Sequence, residues 1–413
     1  MRIAVVGSGI AGLASAWLLA REHDVVVFEQ SERLGGHTHT HDVLLDRRTY
    51  PVDTGFIVFN RRNYPLLGTM FDELGVASNA TTMSFSVQDA RNGLEYNATN
   101  LAGLLCQRRN ALSPAFWRML RDIMRFYREA DALLQQPSDI TLGAFLEQNA
   151  YSNMFREDHI VPMASALWSS PASEILGIPL HHLLRFMSNH QMLQADGRPQ
   201  WRVVEGGSQA YVRALEKNWR AQARPGCAVL SVLRDEHSVR VRSEGREERF
   251  DQVVMACHSD QTLALLQDAS NEERGILGAM RYQANDVVLH TDARLLPKRR
   301  KAWAAWNAYV PPTDGGECTV SYCMNLLQSI DAPEPIVVTL NRSNDIDPQK
   351  IVWRGEYMHP LHDRASVDAQ RRKPQIQGRR NTWFAGAYWG FGFHEDGMRS
   401  GVAVANALGV SWP

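Results

Sequence analysis

Residues 1–12 read MRIAVVGSGIAG, and this stretch decides the fold. Its first half is a short run of apolar and β-branched residues, as expected of a strand buried in a parallel sheet. Gly7, Gly9 and Gly12 follow as G-x-G-x-x-G and lead into an Ala- and Leu-rich helix. Glycine at these positions permits a tight turn, close approach of the backbone to a pyrophosphate, and close packing of helix on strand. The stretch therefore predicts a dinucleotide-binding βα unit, with the helix N-terminus facing the phosphates.

An acidic residue follows the second strand of this unit. Residues 25–28 (VVVF) read as that strand, and Glu29 stands at its end. An acid about 20 residues beyond the glycines accepts hydrogen bonds from an unphosphorylated adenosine ribose, which favours NAD or FAD over NADP. Two alternatives are a glycine turn without a ligand and a membrane span over residues 3–20. The span is rejected because it is only marginally long enough and its glycines fall where a strand would turn into a helix.

Length and composition set the broad class of protein. The 413 residues suffice for about two to three domain-sized units with a large core. A net charge of −1 gives no indication of a nucleic-acid partner. The five cysteines include no C-x-x-C pair, so we expect reduced thiols and no metal site. We also expect no signal peptide and a cytoplasmic location, because the first strand begins without a preceding basic region.

Residues 29–38 (EQSERLGGHT) separate the two remaining cofactors. A plain NAD domain would continue with another helix–strand repeat, whereas here Gly35 and Gly36 follow the acid and bring backbone N–H groups back to the pyrophosphate. The order of strand, G-x-G-x-x-G, strand, Glu and R-x-G-G resembles the flavin-containing amine oxidase superfamily, which includes phytoene desaturases and protoporphyrinogen oxidases. The resemblance implies FAD as the cofactor. The chain departs from the family pattern at His37, where the family usually has Arg.

Two further stretches resemble the same family. Residues 50–56 (YPVDTGF) are similar to its D-x-G strand, whose glycine lets the backbone pass close to the flavin ring. An ordinary strand with a glycine bulge is the alternative. Residues 383–401 (WFAGAYWGFGFHEDGMRSG) are similar to the closing glycine-rich element of the family. A helix that starts near Glu395 would direct its N-terminus at the flavin N1/O2 edge, where negative charge develops on reduction.

The resemblance implies a discontinuous α/β fold. A Rossmann-like FAD-binding domain of the glutathione-reductase/p-hydroxybenzoate-hydroxylase type would comprise residues 1–60, 199–263 and 375–413. An α+β substrate domain with a β-sheet floor and a helical roof would comprise residues 61–198 and 264–374. The first of these two segments reads as long helices rich in aromatic residues and methionine, and the second supplies strands.

The family pattern also places functional residues in this chain. The positions implied to bind the cofactor are Gly7, Ser8, Gly9, Ile10, Ala11, Gly12, Glu29, Gln30, Gly35, Gly36, His37, Thr38, Thr54, Gly55, Val229, Gly386, Glu395, Gly397 and Met398. Tyr388 and Trp389 fall near the aromatic residues that face the flavin in the family. His394, His37 and His39 are the candidate acid–base groups, and each could instead be a structural hydrogen-bonding residue.

The sequence argues against amine oxidation as the reaction. Many amine oxidases use a lysine near the flavin, but this chain has none before Lys217, and Lys298 lies in a basic cluster. The motifs resemble a bacterial subgroup of the family, some members of which are associated with enzymes that methylate or cyclopropanate membrane fatty acyl chains. That resemblance implies an acyl-lipid desaturase or oxidase. The alternatives are an amine oxidase, a redox-neutral isomerase, and a non-catalytic lipid-binding or scaffold protein with structural FAD.

Two basic segments are candidates for peripheral contact with the inner face of the membrane. Ser113 and Pro114 predict the start of a helix, in which arginines recur at helical spacing within the segment Arg108–Arg128. The segment Lys298–Trp306 pairs basic residues with tryptophan in a similar way. A basic amphipathic helix on anionic headgroups is one interpretation, and a helix with a solvated basic face is the other.

Overall fold

The structure is a computed structural model that describes residues 1–135, 139–194, 197–312 and 318–412. Its strands are β1 (Arg2–Val6), β2 (Asp24–Phe28), β3 (Thr40–Leu45), β4 (Arg48–Asp53), β5 (Val58–Phe59), β6 (Ser78–Thr81), β7 (Phe85–Asp89), β8 (Leu94–Asn97), β9 (Trp201–Val204), β10 (Gln222–Arg224), β11 (Val229–Arg234), β12 (Val239–Ser243), β13 (Arg246–Phe250), β14 (Gln252–Met255), β15 (Tyr282–His290), β16 (Trp306–Val310), β17 (Thr319–Cys323), β18 (Val337–Leu340), β19 (Ile351–Pro360) and β20 (Thr382–Phe384).

The α-helices differ widely in length, from single turns to the 21-residue α5. They are α1 (Ile10–Leu19), α2 (Pro65–Leu74), α3 (Leu101–Leu104), α4 (Arg108–Leu112), α5 (Pro114–Leu134), α6 (Leu142–Gln148), α7 (Asn153–Phe155), α8 (Val161–Trp168), α9 (Ala172–Gly177), α10 (Leu180–Asn189), α11 (Gln209–Asn218), α12 (Ser259–Leu265), α13 (Asn271–Leu277), α14 (Met324–Leu327), α15 (Arg364–Arg371) and α16 (His394–Ala407).

A five-stranded parallel sheet forms the centre of the nucleotide-binding half. Its strand order is β10-β2-β1-β14-β20, and every pairing in it is parallel. The chain runs from β1 through α1 to β2, and later returns on the other side of β1 as β14. Sheets of this kind bind dinucleotides in the crevice where the order reverses, at the carboxyl ends of the strands. The predicted discontinuous α/β fold is confirmed.

Two glycines of α16 bring the ends of the chain together. A Cβ on Gly401 would lie 2.6 Å from the carbonyl oxygen of Ala11, and one on Gly397 would lie 2.6 Å from Cγ2 of Ile10. The absence of side chains at these two positions therefore lets α16 pack directly on α1. Since β20 leads into α16 by way of a turn, the C-terminal motif lies at the same edge of the sheet as the first glycine turn.

The edge of the parallel sheet differs from what the family resemblance implies. The resemblance implies that residues 227–232, around Val229, form the strand beside the adenine, but the parallel edge strand is the three-residue β10. β11 instead joins β12 and β13 in an antiparallel meander. The Cys227 amide between β10 and β11 still donates to the carbonyl oxygen of Glu29 over 2.8 Å, so the connection passes the acid at the end of β2.

The second half of the molecule is a sheet covered by helices. Seven strands pair in the order β19-β15-β18-β17-β16-β7-β8. Helices between residues 114 and 189 share a separate hydrophobic core with this sheet, built from large side chains such as Phe116, Phe126, Phe155 and Phe186. This arrangement is the sheet floor and helical roof implied by the resemblance.

The helical prediction for residues 61–198 is wrong in part. β6, β7 and β8 lie in this segment, and β7 pairs in parallel with β16, which comes from the other end of the domain. These strands were not predicted from the sequence because each is only four or five residues long. β6 and β7 pair with strands that are distant in sequence, and β7 and β8 form a short hairpin. α2 packs in the core of the nucleotide-binding half through Leu67, Met70 and Phe71, so the domain boundary at residue 60 stays a prediction.

No helix in the described ranges is both long and apolar enough to span a bilayer. All five cysteines are free thiols.

Candidate functional site

Two glycine turns converge at the carboxyl edge of the parallel sheet. Gly7 has a φ of +100° and packs against the backbone that follows β14. A Cβ on Gly36 would lie 3.0 Å from Cα of Gly9, so the Gly-Gly loop rests on the first turn. The Gly35 amide donates to the carbonyl oxygen of Ser8 over 3.1 Å. The two loops therefore present their backbones to one common space.

The space in front of α1 is open. A Cβ on Gly9 would have no atom within 4 Å, and no side chain caps α1 at this residue. The N–H groups of the first helical turn, which includes Ile10 and Ala11, thus face a space suited to an anion. Gly12, by contrast, has no room for a side chain, because a Cβ there would lie 1.9 Å from the carbonyl oxygen of Gly7.

The Glu29 carboxylate is fixed at the end of β2. One oxygen accepts hydrogen bonds from the amide and hydroxyl of Ser8, at 2.9 and 2.6 Å. The other oxygen accepts from the Ser31 amide over 2.9 Å. Gln30 is exposed beside it. The carboxylate retains further lone pairs, so its orientation suits a hydroxyl donor such as a ribose.

The segments 37–38 and 54–55 run side by side. A Cβ on Gly55 would lie 2.0 Å from the carbonyl oxygen of His37, which requires glycine at this position. The hydroxyl of Thr54 hydrogen-bonds with that of Tyr357 at 2.9 Å. Thr38 hydrogen-bonds with Tyr211 at 2.6 Å. The pairing places the Gly-Gly loop and the D-x-G strand on one wall.

His394 is a fixed, neutral group. Its Nε2 lies 3.1 Å from both the Thr38 and Tyr211 hydroxyls, and its ring stacks on Phe56 with centroids 3.7 Å apart. Burial lowers the pKa of His394 to about 3. A group held in this way positions neighbouring residues, and its neutral form is favoured throughout the physiological pH range.

The carboxylates of the C-terminal motif bind backbone amides. Glu395 accepts from the Leu66 and Leu67 amides at 3.0 and 3.1 Å, at the start of α2, and burial raises its pKa to about 7. One oxygen of Asp396 accepts from the amides of Phe391 and Phe393. These bonds hold the turn before α16 in place.

Tyr388 and Trp389 form the turn between β20 and α16. A Cβ on Gly386 would lie 2.1 Å from the Tyr388 ring, so this ring folds back on the backbone. The rings of Tyr388 and Trp389 lie 4.9 Å apart. The Tyr388 hydroxyl and the Trp389 indole N–H are buried without a well-formed hydrogen bond, which marks a place where a further polar group could lie. Met398 is fully buried in the hydrophobic core of the half that contains the parallel sheet.

His37 and His39 lie in two neighbouring groups of rings. The His37 ring is 5.0 Å from that of Tyr357, 5.6 Å from His359 and 5.8 Å from His258, and its buried Nε2 has no partner. His39 Nδ1 hydrogen-bonds with the Tyr357 hydroxyl at 3.1 Å. Burial and nearby imidazoles lower the pKa of His37, and burial and Arg33 lower that of His39 to about 3.

The sequence matches a known family over most of its length. The family profile described as flavin-containing amine oxidoreductase matches residues 10–323 of the 413. The chain belongs to this family. The match begins at the first residue of α1, just after Gly7 and Gly9, and extends through β17, so it includes Gly12, the Gly-Gly loop, the D-x-G strand and much of the second domain.

Solved structures share the fold over the full chain. A CLA-producing fatty acid isomerase from P. acnes is similar with a TM-score of 0.71 at 16% identity, covering 99% of each chain. A cyclohexylamine oxidase from Brevibacterium oxydans has a TM-score of 0.68 at 16% identity, covering 98% of this chain and 99% of that one. A putrescine oxidase has a TM-score of 0.70 at 13% identity, covering 99% of each chain.

The cofactor of this flavin-containing family member is FAD, and the geometry of the edge fits it. Gly7, Gly9, Gly36 and Gly55 keep part of their surface accessible although buried residues flank them, as expected of a groove floor. The pyrophosphate fits the open space before α1, and the adenosine ribose fits Glu29. His37, Tyr388 and Trp389 carry buried polar atoms without a partner among the described residues. The individual cofactor contacts at these residues and at Val229, at the start of β11, stay predictions.

One group of packed aromatic side chains has no signal in the sequence. Roof helices α8 and α10 meet the turn before α16 through rings with centroids mostly about 5 Å apart. We call this group the aromatic wall, and it comprises Trp168, His182, Phe186, His362, Phe391 and Phe393. The Trp168 indole donates to the carbonyl oxygen of Phe391 over 3.1 Å. Burial lowers the pKa of His362 to about 4 and keeps His182 neutral as well.

A cavity of about 480 Å³ lies beside the aromatic wall, between the start of α2, the end of α10 and the C-terminal turn. Its two acids, Glu395 and Asp396, are the carboxylates that already bind backbone amides. The sequence analysis also missed Lys373. This side chain is half-buried, and its ammonium lies 5.3 Å from the Trp389 ring. Burial lowers the pKa of Lys373 to about 8.

Proposed function

We propose that this protein is an FAD-dependent oxidoreductase that oxidises a fatty acyl chain of a membrane lipid, most simply by introducing a double bond. Methyl-branched and cyclopropane-related chains are the preferred substrates in this proposal. The observation that carries it is the uncharged aromatic wall between the roof helices and the C-terminal turn. Phe391 and Phe393 line the adjacent cavity and offer apolar surface at which an acyl chain can be desolvated, while Phe186 is buried behind them.

The same region is poorly suited to an ammonium group. An amine substrate that enters as a cation needs a carboxylate or a ring of electron-rich faces to replace its water. Glu395 and Asp396 line the cavity beside the wall, and their oxygens are engaged by backbone amides. The cyclohexylamine and putrescine oxidases share the fold at low identity, so amine oxidation remains the alternative to test.

The chemistry of the proposed reaction balances with an external acceptor. When bound at the glycine turns, FAD would supply a two-electron acceptor for a hydride from carbon, with dioxygen or a quinone as the external oxidant. One substrate carbon would lose the hydride and the adjacent carbon would lose a proton. Two C–H bonds therefore break, and the π bond of the new double bond forms between the two carbons. His182 and His362 are neutral imidazoles within the wall and are the candidates to accept that proton.

The product distinguishes the candidate reactions. Protein loaded with FAD is incubated in air with phospholipid vesicles, and the acyl chains are analysed by mass spectrometry. Oxidation removes two hydrogens from the chain, whereas the isomerisation named for the P. acnes neighbour leaves the mass unchanged. Release of ammonia together with cyclohexanone from added cyclohexylamine, or with an aldehyde from putrescine, and no change in lipid, would refute the acyl-chain proposal. No change in either substrate would favour a structural role for FAD.

A charge placed on the aromatic wall tests its role. Phe391→Asp should reduce lipid turnover by about ten-fold or more, because an acyl chain would have to lie against a carboxylate. FAD content should stay at the wild-type level. Leu230→Asp is the matched control, since Leu230 is exposed on β11, away from the wall. Equal turnover by Phe391→Asp and wild type would remove the wall from the substrate path.

A further inference from the structure

Exposed apolar side chains are concentrated in one part of the molecule. Nine large hydrophobic residues are exposed within the described ranges, and four of them lie between residues 101 and 124. Their exposed fractions are 65% for Leu101, 84% for Leu112, 44% for Trp117 and 49% for Met124. Large apolar residues gathered on one exposed surface indicate an interaction site.

Helix α5 combines these residues with arginine. Trp117, Arg121, Met124 and Arg128 follow each other at spacings of four, three and four, which places them on one helical face. The opposite face of α5 is buried, through residues such as Phe126, in the hydrophobic core that the helices share with the seven-stranded sheet. Neither Arg121 nor the nearby Arg118 makes an ion pair or hydrogen bond among the described residues, and Arg128 bonds only the carbonyl oxygen of Met124.

The short helix before α5 extends the same face. The Trp117 indole donates to the carbonyl oxygen of Ala111 over 2.9 Å, which joins the end of α4 to the first turn of α5. Leu112 therefore projects beside Trp117. Arg108 and Arg109 are both exposed on α4. Apolar and basic side chains thus alternate along two consecutive helices.

The second basic segment folds against the first. The Lys298 and Arg299 amides donate to the carboxylate of Glu95 at 2.9 and 3.2 Å, and the turn over residues 300–302 packs on α3, which carries Leu101. Residues 298–301 are all exposed. Two segments almost 200 residues apart in sequence therefore form one surface.

The tryptophans of the second segment do not contribute to that surface. The Trp303 indole donates to the carbonyl oxygen of Pro297 over 2.7 Å, and Trp306 packs in a hydrophobic cluster of the sheet. The apolar part of the surface comes from α3, α4 and α5, and the second segment supplies charge.

We propose that this surface, the basic apolar face, binds the anionic phospholipid surface of a membrane. It comprises Leu101, Arg108, Arg109, Leu112, Trp117, Arg118, Arg121, Met124, Arg128, Lys298, Arg300 and Lys301. The tryptophan and aliphatic side chains enter the headgroup boundary while the cations pair with lipid phosphates. Such binding does not require the proposed reaction and can be measured without turnover.

Charge complementarity selects the occupant. Asp131 is the single exposed acid in the described residues 101–135 and 298–303, so the face is strongly basic although the whole chain has a net charge of −1. A second copy of the chain would bring the same cations together and be repelled. An anionic bilayer accommodates both the cations and the exposed apolar side chains.

Vesicle flotation tests the proposal. The FAD-loaded protein is mixed with vesicles of phosphatidylcholine, with or without about one-third phosphatidylglycerol, at low salt and at about 0.5 M salt. We expect flotation with the phosphatidylglycerol vesicles at low salt, and loss of most of it at high salt or without anionic lipid. Absence of flotation at low salt, or equal flotation with neutral vesicles, would overturn the proposal.

Two variants locate the binding on the face. Arg121→Gln/Arg128→Gln should weaken partitioning by about ten-fold or more, because each cation near an anionic surface contributes about five-fold. Trp117→Ala should weaken it by several-fold at either salt concentration. Arg371→Gln/Arg372→Gln, at the end of α15 and directly after it, and Leu230→Ala are the matched controls, since these residues are exposed elsewhere in the molecule.

Other occupants appear as defined outcomes of the same experiments. Wild-type flotation by both α5 variants would show that lipid binds elsewhere and overturn the proposal. A shift of the oligomeric state with protein concentration, abolished by Trp117→Ala without any effect on flotation, would assign the face to self-association. Binding of a double-stranded DNA fragment in place of vesicles would assign it to nucleic acid.

Discussion

At Gly9 and Gly12, the same added methyl group would meet opposite surroundings. A Cβ on Gly9 has no atom within 4 Å, whereas one on Gly12 lies 1.9 Å from the carbonyl oxygen of Gly7. Gly9 therefore keeps space free for the cofactor, and Gly12 permits the turn itself. The sequence motif predicts both roles, but the two are separated only by the geometry.

The first prediction follows from this difference. Gly9→Ala should leave the unfolding free energy of the cofactor-free protein within about 0.5 kcal/mol of wild type. Its affinity for FAD should fall by about ten-fold or more, because the methyl group occupies the approach to the pyrophosphate. Urea unfolding and fluorescence titration with FAD measure the two quantities. Gly12→Ala is the control and should lower stability with or without FAD, so equal behaviour of the two variants would contradict this assignment.

The second prediction concerns His394, which the sequence offers as an acid–base candidate. Its Nε2 is occupied by Thr38 and Tyr211, and its pKa is lowered to about 3 by burial. His394→Gln should therefore leave the shape of the pH profile for substrate-dependent flavin reduction unchanged between about pH 6 and pH 9. Loss of an ionisation from that profile in the variant would show that His394 exchanges the proton after all.

Among the secondary-structure elements, α1 and α16 are the pair whose contact joins the two motifs. Gly401 would place a Cβ 2.6 Å from Ala11 O and 2.9 Å from Ala14 Cβ. Gly401→Ala should cost about 1–3 kcal/mol of unfolding free energy, because two packed backbones have to separate. Thermal or urea unfolding measures the loss.

Gly275 supplies the matched control within another helix. It lies inside α13, and an added Cβ would have no atom within 4 Å. Gly275→Ala should stabilise the protein by about 0.5–1 kcal/mol, because alanine loses less backbone entropy in a helix. If Gly401→Ala were as harmless as Gly275→Ala, the close contact of α1 with α16 would be contradicted.

Elements that carry their own local signal were predictable from the sequence. The first βα unit has its glycines, and α5 has Ser113, whose side chain accepts from the Phe116 amide as an N-cap. β7 and β10 lack such signals because they are five and three residues long and pair in parallel with distant strands. Their formation depends on partners that only the folded chain brings near.

In the candidate site, too, residues within a sequence motif were predictable and residues brought together by tertiary folding were not. Glycines such as Gly36 and Gly55 are recognisable because a motif surrounds each of them. His37 meets His258, His359 and Tyr357 only through tertiary folding, and the aromatic wall joins α8 and α10 to the C-terminal turn. Contacts between residues more than 100 positions apart leave no periodic pattern, so the sequence could not predict them.

Across the whole molecule, buried neutral histidines make the fold sensitive to acid. His159, His290 and His362 are buried, and burial lowers the pKa of each to about 4. In the unfolded chain they take up protons near pH 6.5, so stability is lost as pH falls below that value. Each contributes a loss of about 2 kcal/mol at pH 5, and together they approach the marginal stability of a typical protein.

Buried carboxyls act in the opposite direction. Burial raises the pKa of Asp53 to about 6 and that of Glu395 to about 7, so the folded state holds these protons more strongly than the unfolded state. Within the described residues, eleven histidines with a lowered pKa stand against four carboxyls with a raised one. We therefore expect the unfolding free energy of the cofactor-free protein to fall between pH 7 and pH 5. Urea unfolding at several pH values measures it.

His290→Gln isolates one histidine in that measurement. In the wild type the Asp292 amide donates to Nδ1 of His290, and Nε2 pairs with the Thr339 hydroxyl. Removing the imidazole should lower the slope of unfolding free energy against pH by about 1 kcal/mol per pH unit below pH 6.5. An unchanged slope, or a wild type equally stable at both pH values, would contradict the assignment of neutral buried imidazoles.

The central claim is that a hydrophobic acyl chain delivers its electrons to the flavin. The most direct test is anaerobic mixing of the FAD-loaded protein with phospholipid vesicles while the flavin absorption band is followed. We predict that the band bleaches with lipid, that cyclohexylamine and putrescine leave it unchanged, and that admitted air restores it. Bleaching by an amine with none by any phospholipid would contradict the account.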